Sequence, residues 1–321
     1  MSSLLKYTKW LIPLCFLTVY LVWGTTYIFV AYAVEEIPPF LLSGIRYFLA
    51  SLILFGLAFS MKQFEGITKN QIKNSLFAGI LFIGIGASGI ALVLKYLDTG
   101  FTSLLIATQP LVTVLMMWLL NKERPTNLAF LGVFLGLIGS YLLVSQQNIV
   151  ATADQWFAVL FIAFCIVIWA YATIFVNKGD LPKSFITNTG FQLLSGGLFA
   201  LLISVIIGEG SADWMNLKPI TWISMFVLIV LGGAIVFIAF NYLLKKSTPD
   251  KVSTTTYVNP IIAISLGWWF RDELVTTQSI IAACVMLTGV LFINFDEETL
   301  KRVFLSPFQK KKTEEIEKRN I

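Results

Sequence analysis

The sequence contains no histidine, so the commonest physiological proton shuttle and the commonest metal ligand are both missing. Charge is scarce too. Only 13% of residues are charged, about half the share of a soluble domain. The three cysteines, Cys15, Cys165 and Cys284, fall singly inside apolar runs, where they read as small buried hydrophobes rather than as disulfide or metal partners. No aspartate or glutamate lies clearly inside any apolar run. There is no phosphate-cradling Walker-type loop, no nucleophile constellation and no soluble stretch that could house either. These absences argue against an enzyme, against ATP-driven pumping by this chain alone, and against any metal or cofactor.

What the chain has is apolar length. Hydrophobic residues make up 57% of it, and the mean hydropathy is +0.81. Only helices and closed barrels satisfy backbone polar groups in lipid. The runs here are unbroken and lack the period-2 alternation of barrel strands, so the fold class is all-α integral membrane. Ten transmembrane helices are expected, at Trp10–Ala33, Pro39–Phe59, Ser75–Leu94, Gly100–Leu120, Thr126–Ser145, Gln155–Val176, Phe185–Ile207, Thr221–Leu244, Val252–Phe270 and Thr276–Asn294. The first run follows Lys6 and Lys9 without a small-residue cleavage site and reads as a retained span, not a signal peptide. Residues 295–321 form a charged tail, expected to be cytosolic and helical in part.

The net charge of +5 is scattered through short loops, which points to a lipid bilayer and not to nucleic acid as the partner. With the N-terminus inside, the inner segments carry nineteen of the basic residues and the outer ones only Lys95, Lys218 and Arg271. By the positive-inside rule both termini are cytoplasmic, in a multi-pass protein of the cell membrane.

The second half echoes the first. At an offset of 150, positions 91–144 align without gaps on 241–294, with nine identities that include Lys95/Lys245, Ser103/Ser253, Pro110/Pro260, Trp118/Trp268, Glu123/Glu273 and Gly139/Gly289. At an offset of 146, Trp23-Gly-Thr-Thr-Tyr-Ile-Phe-Val lies over Trp169-Ala-Tyr-Ala-Thr-Ile-Phe-Val, and Gly44-Ile-Arg46 over Gly190-Phe-Gln192. A duplicated unit with five spans must be inverted relative to its partner, an arrangement typical of transporters with one central site. The expected units are residues 10–145, 155–294 and the tail 295–321.

These residues carry a family resemblance. The Trp23-to-Tyr27 start of the first span, Pro38/Pro39 with Arg46 at the second, Pro110 with Glu123, and Pro260 with Glu273 together resemble the EamA family of the drug/metabolite transporter superfamily, over residues 10–294. The resemblance implies ten helices in two inverted five-helix repeats around a central cavity, and export of amino acids, metabolites or drugs. The small four-helix multidrug transporters of that superfamily carry an intramembrane glutamate in the first helix. The matching region here, Thr18 to Val30, has none, which puts carboxylate-centred proton/drug antiport in doubt.

Arg46 is the one basic residue placed within a span. Burying it costs roughly 2.5–3.5 kcal/mol on the insertion scale. It reads as a substrate-anion or gating residue, or as one that snorkels or pairs with Glu35 or Glu36. Pro110 and Pro260 each remove a backbone donor at mid-depth, flanked by Thr108 and Gln109 on one side and by Tyr257 and Asn259 on the other, so they read as hinges or cavity-lining kinks. Trp23, Thr26, Tyr27, Trp169, Tyr171, Gln192 and Asn241 complete the expected lining. Aromatic faces take apolar groups or cations, and hydroxyls and amides orient polar ones. Glu123 and Glu273, at span ends on opposite faces, are expected to pair with neighbours such as Lys122, Arg124 or Arg271, or to close gates. Gly132, Gly136 and Ser140 form a small-residue stripe that suits packing within the chain and gives no ground for a dimer. The function expected is a secondary transporter that exports a small-molecule substrate by alternating access. The alternative is an importer or exchanger of a nucleotide- or sugar-linked organic anion, ahead of a non-transport membrane protein.

Overall fold

The computed structural model of the protein describes residues 2–122, 124, 126–146 and 151–294, and all of its regular elements there are helices. Helix α1 spans Ser2–Ala33, α2 Pro39–Ser60 and α3 Lys69–Val93. Helix α4 runs Thr99–Ile106, breaks, and resumes as Gln109–Asn121. Then come α5 at Asn127–Val144, α6 at Ala153–Lys178, α7 at Phe185–Ile206 and α8 at Pro219–Lys246. Helix α9 starts as Pro249–Ser253, tightens into a 3-10 turn over Thr254–Tyr257 and resumes as Asn259–Arg271, and α10 is Thr277–Asn294.

Among the described residues, seven stretches are long and apolar enough to cross a membrane: Trp10–Ala33, Pro39–Ser60, Lys69–Val93, Thr99–Leu120, Ala153–Lys178, Phe185–Ile206 and Pro219–Lys246. Shorter apolar runs, Asn127–Leu143 and Thr277–Gly289, lie in α5 and α10. The protein is an all-α, multi-pass membrane protein. Its outward faces suit lipid: Leu52, Leu202 and Phe226 are exposed, and such a surface would be an aggregation liability in water. The tail 295–321 and Glu123 lie outside the described residues.

Helix α3 begins at Lys69, six residues before the apolar run does. A capping box holds that polar first turn. The Thr68 hydroxyl accepts from the Gln71 N–H (3.2 Å) and the Gln71 side chain accepts from the Thr68 N–H (3.3 Å). Thr152 and Gln155 repeat the device at the start of α6. Further along, α3 and α8 each loosen into a π-helical stretch, Ile80–Ala87 and Val230–Ile235. The two starts are 150 residues apart, the offset of the internal echo.

Packing partners come in matched sets. Helix α2 lies along α7, and α5 along α10. The first half of α4 packs on the second half of α9, and the second half of α4 on the first turns of α9. Helix α1 packs on α8 and α9, as α6 packs on α3 and α4. Polar contacts sort the connections onto two faces. On one, Lys218 and Arg271 meet Glu35, Glu36 and Glu273. On the other, the Ser184 hydroxyl bonds Gln63 (2.5 Å), Gln71 donates to Asp180 (2.9 Å), and Lys245 donates to the carbonyls of Asn177 and Gly179.

The α5–α10 contact depends on missing side chains. A Cβ added at Gly289 would meet the Gly136 nitrogen at 2.9 Å and Leu135 at 3.1 Å, and would press on the Gly132 carbonyl. The stripe Gly132/Gly136 is therefore an intramolecular seam. Gly56 on α2 faces open space. Gly289→Ala should destabilise the protein by about 1–3 kcal/mol through overpacking, whereas Gly56→Ala should be neutral or gain up to about 1 kcal/mol from helix propensity. Thermal unfolding of the two variants in detergent checks this. Equal melting shifts would mean that the seam is not close-packed.

Candidate substrate cavity

A cavity of about 80 Å³ lies where the breaks in α4 and α9 meet the π stretches of α3 and α8. Helix α1 supplies Trp23, Thr26, Tyr27 and Val30, and α2 supplies Arg46 and Tyr47. Ala87, Ile90 and Leu94 of α3 and Ile106 and Gln109 of α4 complete the first half's share. From the second half come Trp169 and Thr173 of α6, Gly232, Phe237 and Phe240 of α8, and Ser253, Thr255, Thr256 and Asn259 of α9.

One wall is aromatic. Trp23 meets Trp169 edge-on at 5.7 Å and Phe237 at the same distance, and lies 4.7 Å from Phe240. Phe82 closes behind, 5.0 Å from Trp169. Trp23 and Trp169 are equivalent positions of the two halves in the sequence echo, and here they touch. The glycines of the π stretches let this wall approach the backbone. A Cβ on Gly86 would strike Trp169 at 2.7 Å, and one on Gly232 would strike Thr26 at 2.9 Å. Such π segments recur at functional sites.

The prolines begin helices here; neither sits inside one. Pro110 and Pro260 occupy the first turn of the resumed halves, where the missing N–H costs nothing. The carbonyls left at the end of the first half of α4 are used locally: Ala107 donates to Ser103 and Leu104, and Thr108 donates through both its N–H and its hydroxyl to Leu105. Neither resumed half has a side-chain N-cap.

Arg46 is 4% exposed and has no carboxylate partner among the described residues. One guanidinium hydrogen goes to the Tyr47 hydroxyl (Nη2 to Oη, 2.8 Å), and the group lies 4.3 Å over the Tyr47 ring. Nε has no hydrogen-bond partner. Glu35 and Glu36, the partners open to it in sequence, are engaged elsewhere, so that pairing is not made. No acidic residue lines the cavity.

Of the residues read as lining from sequence, the structure brings Trp23, Thr26, Tyr27, Arg46, Gln109, Trp169 and Asn259 together. Gln192 and Asn241 lie off the cavity in a closed amide network. Asn241 Nδ2 donates to Gln192 Oε1 (2.8 Å), Thr189 (3.1 Å) and the Phe237 carbonyl (3.0 Å), while Asn241 Oδ1 accepts from Gln192 and Asn188. Thr108 spends its hydroxyl on the broken helix, and Tyr171 stacks on Phe175 instead (6.5 Å between centroids). The side chain of Tyr257 and all of Glu123 lie outside the described residues. Missed in the sequence were Tyr47, Phe237, Phe240 and the hydroxyls of Ser253, Thr255 and Thr256. The run of threonines just ahead of the Asn259-Pro260 break was the available signal for the last two.

A carboxylate latch closes one face. Helices α2, α4 and α8 start without a side-chain cap of their own, and a glutamate from elsewhere caps each one. Glu209 accepts from the N–H groups of Phe40 and Leu41 (3.1 and 2.9 Å). Glu36 accepts from the Lys218 N–H (2.9 Å) and the Thr221 hydroxyl (2.5 Å). Glu273 accepts from the N–H groups of Thr99 and Gly100 (3.0 and 3.1 Å) and from the Thr99 hydroxyl (2.7 Å). Anions are favoured at helix N-termini, so Glu273, expected to pair with Arg271, does so (3.6 Å) while capping α4 as well. The Thr221 and Lys218 hydrogen bonds hold the Glu36 carboxyl below the usual carboxylate range. Asp98 is pushed the other way by loss of water and by the nearby Glu273 charge, with Arg271 opposing. A depressed carboxyl stabilises the fold above its unfolded pKa and loses that contribution as pH falls through the folded value. Acid therefore loosens the Glu36 contact.

Glu273→Ala should orphan two buried N–H groups and cost about 1–3 kcal/mol. It should also raise the rate at which a cysteine at Thr26 reacts with a membrane-impermeant thiol reagent applied to the latch face. Unchanged stability and unchanged labelling would show that the latch holds nothing shut.

Comparison with known proteins agrees with this architecture. A crystal structure of a protein at 17% identity superposes with a TM-score of 0.64, covering 88% of this chain and 96% of its own, which shows a shared fold. An uncharacterized inner membrane transporter of Escherichia coli, YedA, is 26% identical over 85% of this chain and 87% of its own. An uncharacterized transporter of Bacillus subtilis, YoaV, is 26% identical over 87% and 95%, and one from Archaeoglobus fulgidus is 24% identical over 84% and 92%. The sequence profile of the EamA-like transporter family matches twice, at residues 10–145 and 156–295. With the profile spanning both halves of the chain, this protein belongs to the EamA-like transporter family.

Proposed function

We propose that the protein is a secondary transporter that moves small metabolites outward across the cytoplasmic membrane by alternating access. The observation that carries this reading is the composition of the cavity. It is built from both halves of the chain at the level where α4 and α9 are interrupted, the arrangement by which discontinuous helices form transport sites. Ten spans in two inverted units, residues 10–145 and 155–294, are supported by the matched packing sets, which interchange when each helix is replaced by the one five places along. The paired π stretches support them too. The outward orientation of the latch face follows from the positive-inside rule, since the opposite face carries most of the basic loops.

Size narrows the substrate. At roughly 10–15 Å³ per water-sized occupant, 80 Å³ holds about five to eight such occupants. This favours a small metabolite over a nucleotide- or sugar-linked one.

Transport is tested by counterflow in proteoliposomes with a mixed library of amino acids and small organic acids. Preloaded vesicles should accumulate labelled solute above background; no flux for any solute would sink the reading. Within that assay, Pro110→Ala and Pro260→Ala should each slow exchange several-fold while binding survives, because the restored N–H lets the helix run through its break. Cysteines at Thr26 and Thr173 should report opposite shifts in accessibility for the two variants. Normal exchange with unchanged accessibility in both would remove the hinge role and leave the cavity assignment standing.

A further inference from the structure

We infer that the cavity binds a small monoanion, its carboxylate gripped by Arg46 where two half-helices begin, in preference to a zwitterion or a neutral solute. This rests on the transporter reading and names the substrate class for it. Arginine remains protonated in proteins, and Arg46 is buried without a counter-ion among the described residues. Its one side-chain partner is the neutral Tyr47 hydroxyl, and Nε–H is unspent. A guanidinium edge with free N–H groups fits a carboxylate in two parallel hydrogen bonds.

The resumed half of α4 starts at Gln109 and that of α9 at Asn259, and both residues line the cavity. Each half is thirteen residues long and uncapped by a side chain. Their positive ends therefore meet in the space that Arg46 enters. The opposing carbonyl end of α4 is neutralised by its own local hydrogen bonds. Among the lining residues Arg46 is the one formal charge, and no carboxylate balances it.

Charge arithmetic then separates the candidate ligands. A monocarboxylate brings Arg46 to neutrality. A zwitterion leaves the pair with net charge +1 in a low-dielectric space, and its ammonium finds no anion there. A neutral amide leaves Arg46 as it was. Asn259, 2% exposed, presents an unpartnered Oδ1, which would accept from a hydroxyl or N–H elsewhere on the ligand. The aromatic wall takes the apolar remainder.

The test uses the full-length protein in detergent and three probes of nearly one size: butyrate, butyramide and 2-aminobutyrate, titrated by calorimetry. Butyrate should bind about tenfold or more tightly than either of the others, since charge-assisted hydrogen bonds are roughly twice as strong as neutral ones. Arg46→Met should abolish that preference and Arg46→Lys should keep part of it. Asn259→Asp supplies a carboxylate inside the same cavity and gives a second route if Arg46→Met does not fold. It should suppress butyrate binding and so remove or reverse the preference for butyrate over butyramide. Equal affinities for the three probes, no measurable butyrate binding, or a preference that survives Arg46→Met overturns the inference. Counterflow of other solutes would continue in any of those cases, so the transporter reading would fall only with the loss of all flux.

Discussion

In hydrocarbon, a backbone N–H or C=O without a partner costs several kilocalories per mole, and this constraint decides where the chain can depart from a straight α-helix. Four departures occur: the π stretches in α3 and α8, the break in α4 and the 3-10 turn in α9. All four border the central cavity. Elsewhere the spans pack as regular helices, where hydroxyls such as those of Thr18 and Thr25 in α1 bond their own preceding turns and buried amides bond one another. Irregularity is confined to the place where polar side chains and enclosed space can satisfy it.

The charges are divided with similar economy. The latch face uses carboxylates as borrowed caps, so its ion pairs do two things at once. Glu36 and Glu273 neutralise Lys218 and Arg271 and also supply acceptors that the starts of α8 and α4 lack, and Glu209 supplies those that α2 lacks. Exposed pairs of this sort contribute little by Coulomb attraction, whereas an orphaned helix terminus is costly. Capping is therefore the stronger reason for the glutamates to sit there. The opposite face closes with the Ser184–Gln63 contact, with the Asp180 carboxylate accepting from Gln71, and with Lys245 on the carbonyls that end α6.

Much of this was legible in the sequence, and the failures have physical causes. Arg46, Trp23 and Trp169 announced themselves because charge and large amphipathic rings are rarely placed at mid-depth without a reason. The prolines marked the breaks, although they start helices where kinks within helices were expected. Gln192 and Asn241 were misplaced because composition cannot distinguish an amide that faces a cavity from one satisfied by other amides. The Asn188–Gln192–Asn241 cluster joins residues about 50 positions apart. The role of Glu273 was half legible: the Arg271 pair is local, but the α4 terminus it caps is 174 residues away. Hydropathy located the apolar part of α3 and not its polar start, since water and a capping box extend a helix beyond the lipid.

The π stretch of α3 also has a geometric effect. Each residue of an α-helix turns the chain by about 100°, so one extra residue absorbed without lengthening the helix rotates everything beyond it by about that angle. Before the stretch and through its middle, α3 turns its glycines to α7: Gly79 abuts Gln192 and Ser195, and Gly84 abuts Phe199. From its last residues onward, Gly86 and Gly89 abut Trp169 and Cys165 of α6, while Ala87, Ile90 and Leu94 look into the cavity. A regular helix would keep one azimuth against one neighbour along its whole length. With this phase change a single rod packs against α7 at one end and borders the cavity at the other, so the two duties can diverge in sequence without either constraining the other's stripe.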